Sequence, residues 1–267
     1  TLTEHLIRYE YRAGDRTPRG APEVIARFPN KPSPNAIGVV WHITRTIRFV
    51  GDTLYVSVGS GCNACEQPKE EMRAMILAMD PDGKNVRAYA TGIRNAVGIE
   101  WADGMLYATA NGVDHLGNDA PDDVMYLIEE GKNYGWPYCY ESGGKLLKDD
   151  SLFWKNEPDS CDTFPISLTS FGPHSAPLGL AYFGDGTPAV LKNSFLVALH
   201  GSHEADIGNG YQIVRVSKRG EKSVFMDGFL DEKGERVARP VHILPISDDS
   251  FFVSDDFNGV IYYVYAR

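Results

Sequence analysis

The 267-residue chain lacks both a long hydrophobic run and a basic cluster. No apolar stretch approaches the roughly 20 residues that a helix needs to cross a bilayer. Lys and Arg together number 26 against 36 Asp and Glu, which gives a formal net charge of −10, and the basic residues form no run or stripe. The sequence therefore predicts no membrane insertion and no nucleic-acid partner.

Cysteine is also scarce, with only Cys62, Cys65, Cys139 and Cys161. Cys62-x-x-Cys65 is compatible with a redox pair or with half of a zinc site, but no second CxxC pair follows it. No His follows it directly, which excludes covalent haem attachment. An even number of cysteines in a turn-rich chain is typical of disulfides in an oxidising compartment. A Cys139–Cys161 bridge across a long loop and free buried thiols both stay open.

The composition that is present suits a large domain with many turns. Hydrophobic residues make up 43% and aromatic residues 11%, which is ample for a packed core, and 27 Gly and 16 Pro predict frequent turns. All-β chains of this length are often single domains. The chain starts at Thr1 without a Met or a signal peptide, so we expect either a removed targeting segment or an internal piece of a longer protein.

One strand–turn–strand unit recurs along the chain, with an apolar strand, a polar Gly/Asp/Asn turn and an aromatic-rich strand. Its four copies are IRFVGDTLYVSVGS (47–60), IEWADGMLYATANG (99–112), PAVLKNSFLVALHG (188–201) and LPISDDSFFVSDDF (244–257). The aromatic-rich strands are spaced by about 50, 90 and 56 residues, which is typical of β-propeller blades. The longest gap predicts one blade plus an insertion at about 138–172. A β-sandwich is the alternative.

The two ends of the chain read as outer strands. EHLIRYEYR (4–12) is predicted to be the last strand of a blade whose inner strands are absent, and GVIYYVYA (259–266) closes the final unit. We expect an all-β, single β-propeller domain over 1–267, with about four blades and one outer strand. An open arc of blades would expose apolar surface, so the chain looks N-terminally incomplete unless the ring closes in another way.

The stretch VVWHITRTIRF (39–49) places a histidine in a predicted strand. Apolar and polar residues alternate with a period of two, which indicates a half-buried strand with His42 on its polar side. Arg45 alone breaks the apolar register. Taken by itself, a strand histidine is more often held by a backbone carbonyl than used in catalysis.

Six segments together resemble one known family, the glucose/sorbosone dehydrogenase family. They are LYVSVGSGCNAC, RAMILAMDPDG, YATGIRNAVGIEW, GKNYGWPYCY, GPHSAPLGLAYF and RPVHILPISDDSFFVSDD, in this order along essentially the whole chain. The resemblance implies a six-bladed propeller that uses pyrroloquinoline quinone (PQQ) and calcium to oxidise sugars. The CNAC and GWPYCY details are similar to the sorbosone-dehydrogenase-like branch. Against that family, about one and a half N-terminal blades are missing.

The resemblance implies two catalytic residues, His42 and Arg94. His42 corresponds to the general base, which takes the proton from the anomeric hydroxyl while hydride moves from C1 of the sugar to PQQ. Imidazole suits this role because its ordinary pKa lies near neutrality. Arg94, next to Asn95 in GIRNAVG, corresponds to the arginine that reaches the quinone oxygens, and guanidinium binds such anionic groups well. Asn95 is expected to contact the cofactor with it.

Three further residues match family positions that contact PQQ: His174 in GPHSAPLG, His200 in VALHGS and Arg239 in ARPVHIL. For each histidine a purely structural position at the rim is the alternative. A second arginine of the family is absent, since Val237 occupies its position, and Arg236 is a candidate to compensate.

Two more departures weaken the carry-over from relatives. Val97 stands where many relatives have Gln, and Ser60 stands where the soluble glucose type has an acidic residue near the sugar. The substrate preference of those relatives therefore does not transfer to this chain.

The acidic loop VDHLGNDAPDDV (113–124) falls where the family binds calcium, largely through backbone carbonyls. Calcium prefers oxygen ligands, and Gly117, Asn118 and Asp119 are the predicted ones. Asp122 and Asp123 are the other carboxylates within reach. The loop lacks the EF-hand pattern, and a solvated acidic turn is the alternative.

The sequence thus predicts a periplasmic or secreted, PQQ- and calcium-dependent dehydrogenase. Its substrate would be an aldose or a sugar aldehyde such as sorbosone, and an external acceptor would take the electrons. Two alternatives stay open. One is a propeller that binds ligands without catalysis, and the other is a calcium-dependent lactonase-type hydrolase, which would need several carboxylates around a metal-bound water.

Overall fold

A computed structural model of the protein describes residues 4–29, 41–203 and 208–265. Within these ranges the chain is almost entirely β-structure, with one 3-10 turn at Lys69–Glu71. The strands are β1 His5–Glu10, β2 Arg19–Arg27, β3 Ile47–Val50, β4 Thr53–Val58, β5 Met75–Met79, β6 Arg87–Thr91, β7 Ala96–Ala102, β8 Met105–Ala110, β9 Asp122–Ile128, β10 Cys139–Ser142, β11 Lys145–Lys148, β12 Thr169–Pro173, β13 Pro177–Phe183, β14 Ser194–Leu199, β15 Gln212–Ser217, β16 Lys222–Met226, β17 Pro240–Ser247, β18 Ser250–Asp255 and β19 Val260–Tyr265. No helix of the described part is long and apolar enough to cross a bilayer.

Four antiparallel sheets follow one another as propeller blades. Blade 1 is β3-β4-β5-β6, blade 2 is β7-β8-β9-β12, blade 3 is β13-β14-β15-β16 and blade 4 is β17-β18-β19. The first strand of each blade contacts the first strand of the next, β3 with β7, β7 with β13 and β13 with β17. Consecutive meanders with their first strands side by side form the central part of a propeller. The predicted all-β propeller fold is confirmed.

The hydrophobic core lies between neighbouring blades. One cluster joins blades 1 and 2 through Tyr55, Ile76, Ile99 and Leu106, all less than 9% exposed. A second cluster joins blades 2 and 3 through Tyr107, Met125, Phe195 and Val197. A third joins blades 3 and 4 through Phe183, Leu196, Ile243 and Phe251. Burying one such side chain contributes about 1.5–3 kcal/mol, so each blade is stabilised mainly by its neighbours.

Two predicted strand assignments differ from the structure. The segment 188–193 of the third repeat forms turns, and the partner of β14 is the earlier strand β13. The opening strand is a member of a two-stranded sheet, because β1 pairs with β2, a strand that sequence analysis did not identify. Leu6 and Phe28 of this hairpin region pack against Leu54, Val56 and Leu77 of blade 1.

Both pairs of cysteines form disulfides, Cys62–Cys65 and Cys139–Cys161. The expectation of disulfides is confirmed, and the described residues contain no free cysteine. The second bridge lies in the segment between β9 and β12, which also carries the β10–β11 hairpin. This segment occupies the position of the predicted insertion at about 138–172, and the single-domain boundary 1–267 stays a prediction.

The prediction of a strand over 39–49 is wrong for its first half. Residues 39 and 40 lie outside the described ranges, residues 41–46 have no regular structure, and β3 begins only at Ile47. The cause is visible at Arg45, a buried side chain that donates hydrogen bonds to the carbonyls of His42 and Thr44 at 2.6 and 2.7 Å. Those carbonyls are bonded by a side chain instead of a neighbouring strand.

Candidate functional site

A cleft of about 890 Å³ collects the six residues that the family resemblance implied for catalysis or cofactor contact. These residues are His42, Arg94, Asn95, His174, His200 and Arg239. Four segments that lead into the first strands of blades 1 to 4 supply five of them, and His200 follows β14. Because these segments meet at one end of the propeller, residues far apart in sequence face the same space. The volume is within the range of small-molecule sites.

The backbone at His42 has an unusual conformation. Its φ of +47° lies in the left-handed region, which is uncommon for residues other than glycine. Gly59 permits the close approach of this turn, because a Cβ added there would lie 2.4 Å from Cβ of His42 and 2.7 Å from Oδ1 of Asn95. Such strain is typical of functional sites, where the surroundings hold a side chain in one position.

The ring of His42 is oriented by Ser60. Nδ1 lies 3.0 Å from the carbonyl oxygen of Ser60 and 2.9 Å from its hydroxyl, and that hydroxyl donates to the carbonyl of Cys62 at 2.6 Å. Both Ser60 oxygens are therefore acceptors toward the ring, so Nδ1 carries the hydrogen and Nε2 carries the lone pair. Ser60 is fully buried. It therefore contacts the back of His42 and is not exposed to a sugar in the cleft.

The pKa of His42 is lowered to about 3, first by burial and then by the positive charge of Arg94, against the hydrogen bond to Ser60. The imidazole is consequently neutral at pH 7. The ordinary, near-neutral pKa of imidazole therefore does not apply to His42 in the protein without a ligand. A negative ligand beside Arg94 would oppose that positive charge and raise the pKa of His42 again.

Arg94 is a buried cation at the wall of the cleft, with 6% of its side chain exposed. Nη2 donates to Asp114 at 2.9 Å, and the guanidinium lies 5.9 Å from the ring of Trp41. Burial lowers the pKa of Arg94, while Asp114 and Asp123 raise it. An arginine keeps its charge under such conditions, so a positive group faces the cleft.

Arg239 is held by backbone atoms. Nε donates to the carbonyl of His200 at 3.1 Å, Nη2 donates to that of Gly201 at 2.6 Å, and the guanidinium lies 5.8 Å from the ring of Tyr211. Nε2 of His200 contacts Asp256 at 2.9 Å. Burial lowers the pKa of His200, and the Asp256 contact opposes the shift.

The predicted calcium ligands are only partly brought to the cleft. Asn118 lines it, whereas Gly117 and Asp119 do not. The carbonyl of Gly117 accepts a hydrogen bond from Nε2 of His174 at 2.8 Å, and His174 has a left-handed φ of +55°. Asp119 is exposed to solvent. The carbonyl of Gly117, which was predicted to bind calcium, therefore accepts a hydrogen bond from His174 in this structure.

Two more carboxylates of the acidic loop, Asp122 and Asp123, form hydrogen bonds to other segments of the chain. Asp122 accepts hydrogen bonds from Gly143 and Ser170. Asp123 is buried and accepts from the backbone N–H groups of Gly112 and Ala176, both at 2.7 Å, which joins blade 2 to the segment before blade 3. Across the described ranges, no group of three or more His, Cys, Asp or Glu residues is arranged to hold a metal. As placed, these carboxylates do not fit a calcium site.

Several site residues were not identified from the sequence. Those that line the cleft include Asn111, Asp114, Ser202 and His203. Asn63 stands behind Arg94 and donates or accepts hydrogen bonds to four other residues. The only sequence signal for Asn63 is its place between two closely spaced cysteines, and that pattern alone does not indicate a partner.

Comparison with known proteins connects this geometry to a family. The TrAA12-like family model matches residues 2–267. A curated relative, an uncharacterized protein of Borreliella burgdorferi, is 33% identical over 223 residues, which is 79% of this chain and 57% of that protein. The chain thus spans little more than half the length of the curated relative that it matches.

Solved structures share the fold. The calcium structure of the Trichoderma reesei Family AA12 carbohydrate-active enzyme has a TM-score of 0.78 at 20% identity. The match covers 100% of this chain and 77% of the chain in that structure. The holo PQQ domain of pyranose dehydrogenase from Coprinopsis cinerea has a TM-score of 0.78 at 18% identity, with 99% and 78% covered. The PQQ-bound aldose sugar dehydrogenase of Streptomyces coelicolor has a TM-score of 0.63 at 21% identity, with 97% and 70% covered. The resemblance drawn from the six motifs is confirmed, and the chain belongs to the TrAA12-like family.

Proposed function

We propose that this protein is a PQQ-dependent sugar oxidoreductase with His42 as its general base. One observation carries the proposal: a neutral imidazole with a lone pair on Nε2 shares a cleft with two arginines from different blades. The combination supplies a proton acceptor and binding groups for a polyanion. The solved relatives include a PQQ domain of pyranose dehydrogenase and a PQQ-bound aldose sugar dehydrogenase, which adds support.

The donor set of the cleft fits PQQ, which carries three carboxylates and an ortho-quinone. Arg94 and Arg239 provide two fixed positive groups, and charge-assisted hydrogen bonds to anions are the strong kind. The buried position of Arg94 strengthens its attraction to an anion, because water screens it little. Asn95 and His174 line the same cleft and are proposed as further contacts.

In the proposed reaction, PQQ supplies the acceptor that takes the hydride from C1 of the sugar. Nε2 of His42 accepts the proton of the anomeric hydroxyl, while the bond from Nδ1 to Ser60 keeps the ring in one orientation and one tautomer. Arg94 and Arg239 hold the anionic groups. The negative charge of a bound ligand offsets Arg94 and makes His42 a stronger base in the loaded site than in the free protein.

Calcium is proposed at loop 113–119, through Asn118 and backbone oxygens. The ion would have to replace His174 at the carbonyl of Gly117, since that hydrogen bond occupies the predicted ligand. Calorimetric titration with CaCl₂, with and without PQQ, tests this part alone. Binding that is abolished by Asn118→Ala supports it, whereas no heat above dilution in either state refutes it.

The proposed setting is periplasmic or secreted, because two disulfides suit an oxidising compartment. The proposed substrates are aldoses or sugar aldehydes of the sorbosone type, with an external electron acceptor.

Reconstitution tests the whole proposal. The protein with PQQ and CaCl₂ should reduce an artificial dye in the presence of an aldose or an aldehyde, and His42→Ala should abolish reduction while PQQ stays bound. PQQ binding without dye reduction for any substrate would favour a binding propeller. Ester or lactone hydrolysis without PQQ would favour the hydrolase alternative. No PQQ binding at all would refute the proposal.

A further inference from the structure

Asn63 connects four separate segments behind the cleft. Its backbone carbonyl accepts hydrogen bonds from Nε of Arg94 at 3.0 Å and from the indole N–H of Trp136 at 3.3 Å. Its side-chain Oδ1 accepts from Nη2 of Arg94 at 2.7 Å and from the backbone N–H of Asp114 at 3.1 Å. Two oxygen atoms thus accept four hydrogen bonds. The bond from a backbone N–H also fixes which end of the amide carries the oxygen.

These contacts determine the direction in which Arg94 points. A guanidinium has five N–H groups. Nε and both hydrogens of Nη2 are used by Asn63 and Asp114, and Nη1 makes one long bond of 3.4 Å to the carbonyl of Asn111. One N–H of Nη1 is left without a partner among the described residues. That group is the one available to a ligand in the cleft.

The Asn63 backbone is held in turn by a covalent ring. Asn63 and Ala64 are the only residues between Cys62 and Cys65, whose disulfide closes the loop. The carbonyl of Cys62 accepts the hydroxyl hydrogen of Ser60, the residue that orients His42. One small loop therefore supports both the predicted base and the predicted cofactor arginine.

We propose that Asn63, fixed in the Cys62–Cys65 ring, is the positioning residue of Arg94 and sets the affinity of the cleft for an anionic ligand. The inference rests on the proposed function for the identity of that ligand. The loss of Oδ1 leaves a buried N–H of Arg94 unsatisfied, so the guanidinium turns toward the exposed carboxylate of Asp114 and away from the ligand. Opening the ring frees the Asn63 backbone and has the same consequence.

The first experiment uses the protein without ligand and does not depend on PQQ. The signals of the Nη2 hydrogens of Arg94, which donate to Oδ1 of Asn63 and are assigned by their loss in Arg94→Lys, are followed by ¹⁵N NMR together with their exchange with water. Asn63→Ala should accelerate this exchange by at least about tenfold, the factor expected for one lost hydrogen bond to a charged group. Asn63→Asp, which keeps an acceptor oxygen at the position of Oδ1, should restore slow exchange. Asp114→Ala is the matched control and should have the smaller effect, because its carboxylate is 61% exposed.

The second experiment measures the affinity for PQQ from the quenching of tryptophan fluorescence. Asn63→Ala and the double variant Cys62→Ser/Cys65→Ser should each weaken binding by about tenfold. The double variant Cys139→Ser/Cys161→Ser removes the other disulfide and should leave the affinity unchanged. Thermal unfolding of all variants identifies any that fail to fold. If the disulfide variants do not fold, the NMR comparison of the Asn63 and Asp114 variants still tests the positioning role.

The outcomes separate this inference from the proposed function. Slow exchange of the Arg94 Nη2 hydrogens in Asn63→Ala, or a larger effect of Asp114→Ala, overturns the positioning role whatever binds in the cleft. Equal loss of affinity in both disulfide variants overturns the role of the Cys62–Cys65 ring. An NMR result as expected, with no PQQ binding by the wild-type protein, supports the positioning of Arg94 and refutes PQQ as the ligand.

Discussion

Arg94 and Arg239 line the same cleft but are held in different ways. Arg94 is bound by two side-chain oxygens, from Asn63 and Asp114, besides the backbone carbonyls of Asn63 and Asn111. Arg239 is bound by the backbone carbonyls of residues 200–202. A single substitution removes a side-chain acceptor and leaves a backbone carbonyl in place. Sequence changes can therefore adjust the orientation of Arg94 readily, and that of Arg239 only through its own replacement or a shift of the loop.

The two sides also differ in their influence on the predicted base. Arg94 lowers the pKa of His42 directly, and the loop that holds Arg94 also supports Ser60. Arg239 contacts His200 and Tyr211 on the other side. We infer that the Arg94 side governs both proton transfer and anion binding, and that the Arg239 side contributes to binding alone.

The largest effect is expected from removing each arginine in turn. Arg94→Ala and Arg239→Ala should both weaken PQQ binding by roughly 10- to 150-fold, since hydrogen bonds to charged groups contribute about 1.5–3 kcal/mol. Only Arg94→Ala should also raise the pKa of His42, because it removes a neighbouring positive charge. PQQ titrations and the pH dependence of dye reduction measure the two effects. A comparable change of the pH profile in Arg239→Ala would contradict the division between the two sides.

The sequence predicted the blades well because strand periodicity and turn residues are local signals. It identified the site residues only through the family resemblance, and the structure brings six of them to one cleft while their roles stay predictions. The placement of His42 on a strand was wrong, because the buried Arg45 side chain donates hydrogen bonds to the carbonyls of His42 and Thr44, and residue periodicity does not reveal such side-chain contacts. The role of Asn63 was out of reach for a similar reason, since its partners lie 31, 51 and 73 positions away along the chain.

A smaller but specific effect is expected from crowding the turn at His42. In Gly59→Ala the new methyl group would lie 2.4 Å from Cβ of His42, so the histidine has to move. Dye reduction should fall by about tenfold or more, because catalysis depends on a near-attack geometry. Gly184→Ala is the matched control, since its nearest neighbour lies 3.8 Å away. Unchanged turnover in Gly59→Ala would mean that the position of His42 does not limit the reaction.

Asp123 and His42, two titrating groups that interact with Arg94, should change the stability of the fold with pH in opposite directions. Burial raises the pKa of Asp123 to about 6. The folded protein therefore binds this proton more tightly than the unfolded chain, and stability falls as pH rises from about 4 to about 6, by about 3 kcal/mol. The pKa of His42 is lowered to about 3, so its contribution has the opposite sign, and stability rises with pH between about 3 and 6.5.

Urea unfolding at pH 4 to 7 tests both signs in difference curves. The free energy of unfolding of the wild type minus that of Asp123→Asn should decrease with rising pH. The same difference taken against His42→Gln should increase. The remaining titrating groups are common to each pair and cancel. A flat difference curve for either variant would show that the corresponding group titrates at its ordinary pKa in the folded protein.

The smallest effect is expected at the exposed contact of the Arg239 side. Asp256→Asn removes the charge that opposes the lowering of the pKa of His200, so this imidazole stays neutral and the charge of the cleft does not change. Asp256 is 62% exposed, and exposed ion pairs contribute at most about 1 kcal/mol, so PQQ affinity should change less than about fivefold. The carbonyl of His200 still accepts the hydrogen bond from Arg239 in this variant. A tenfold or greater loss of affinity would mean that the His200 side chain, and not only its backbone, orients the bound ligand. The Arg239 side would then depend on side-chain contacts as much as the Arg94 side does.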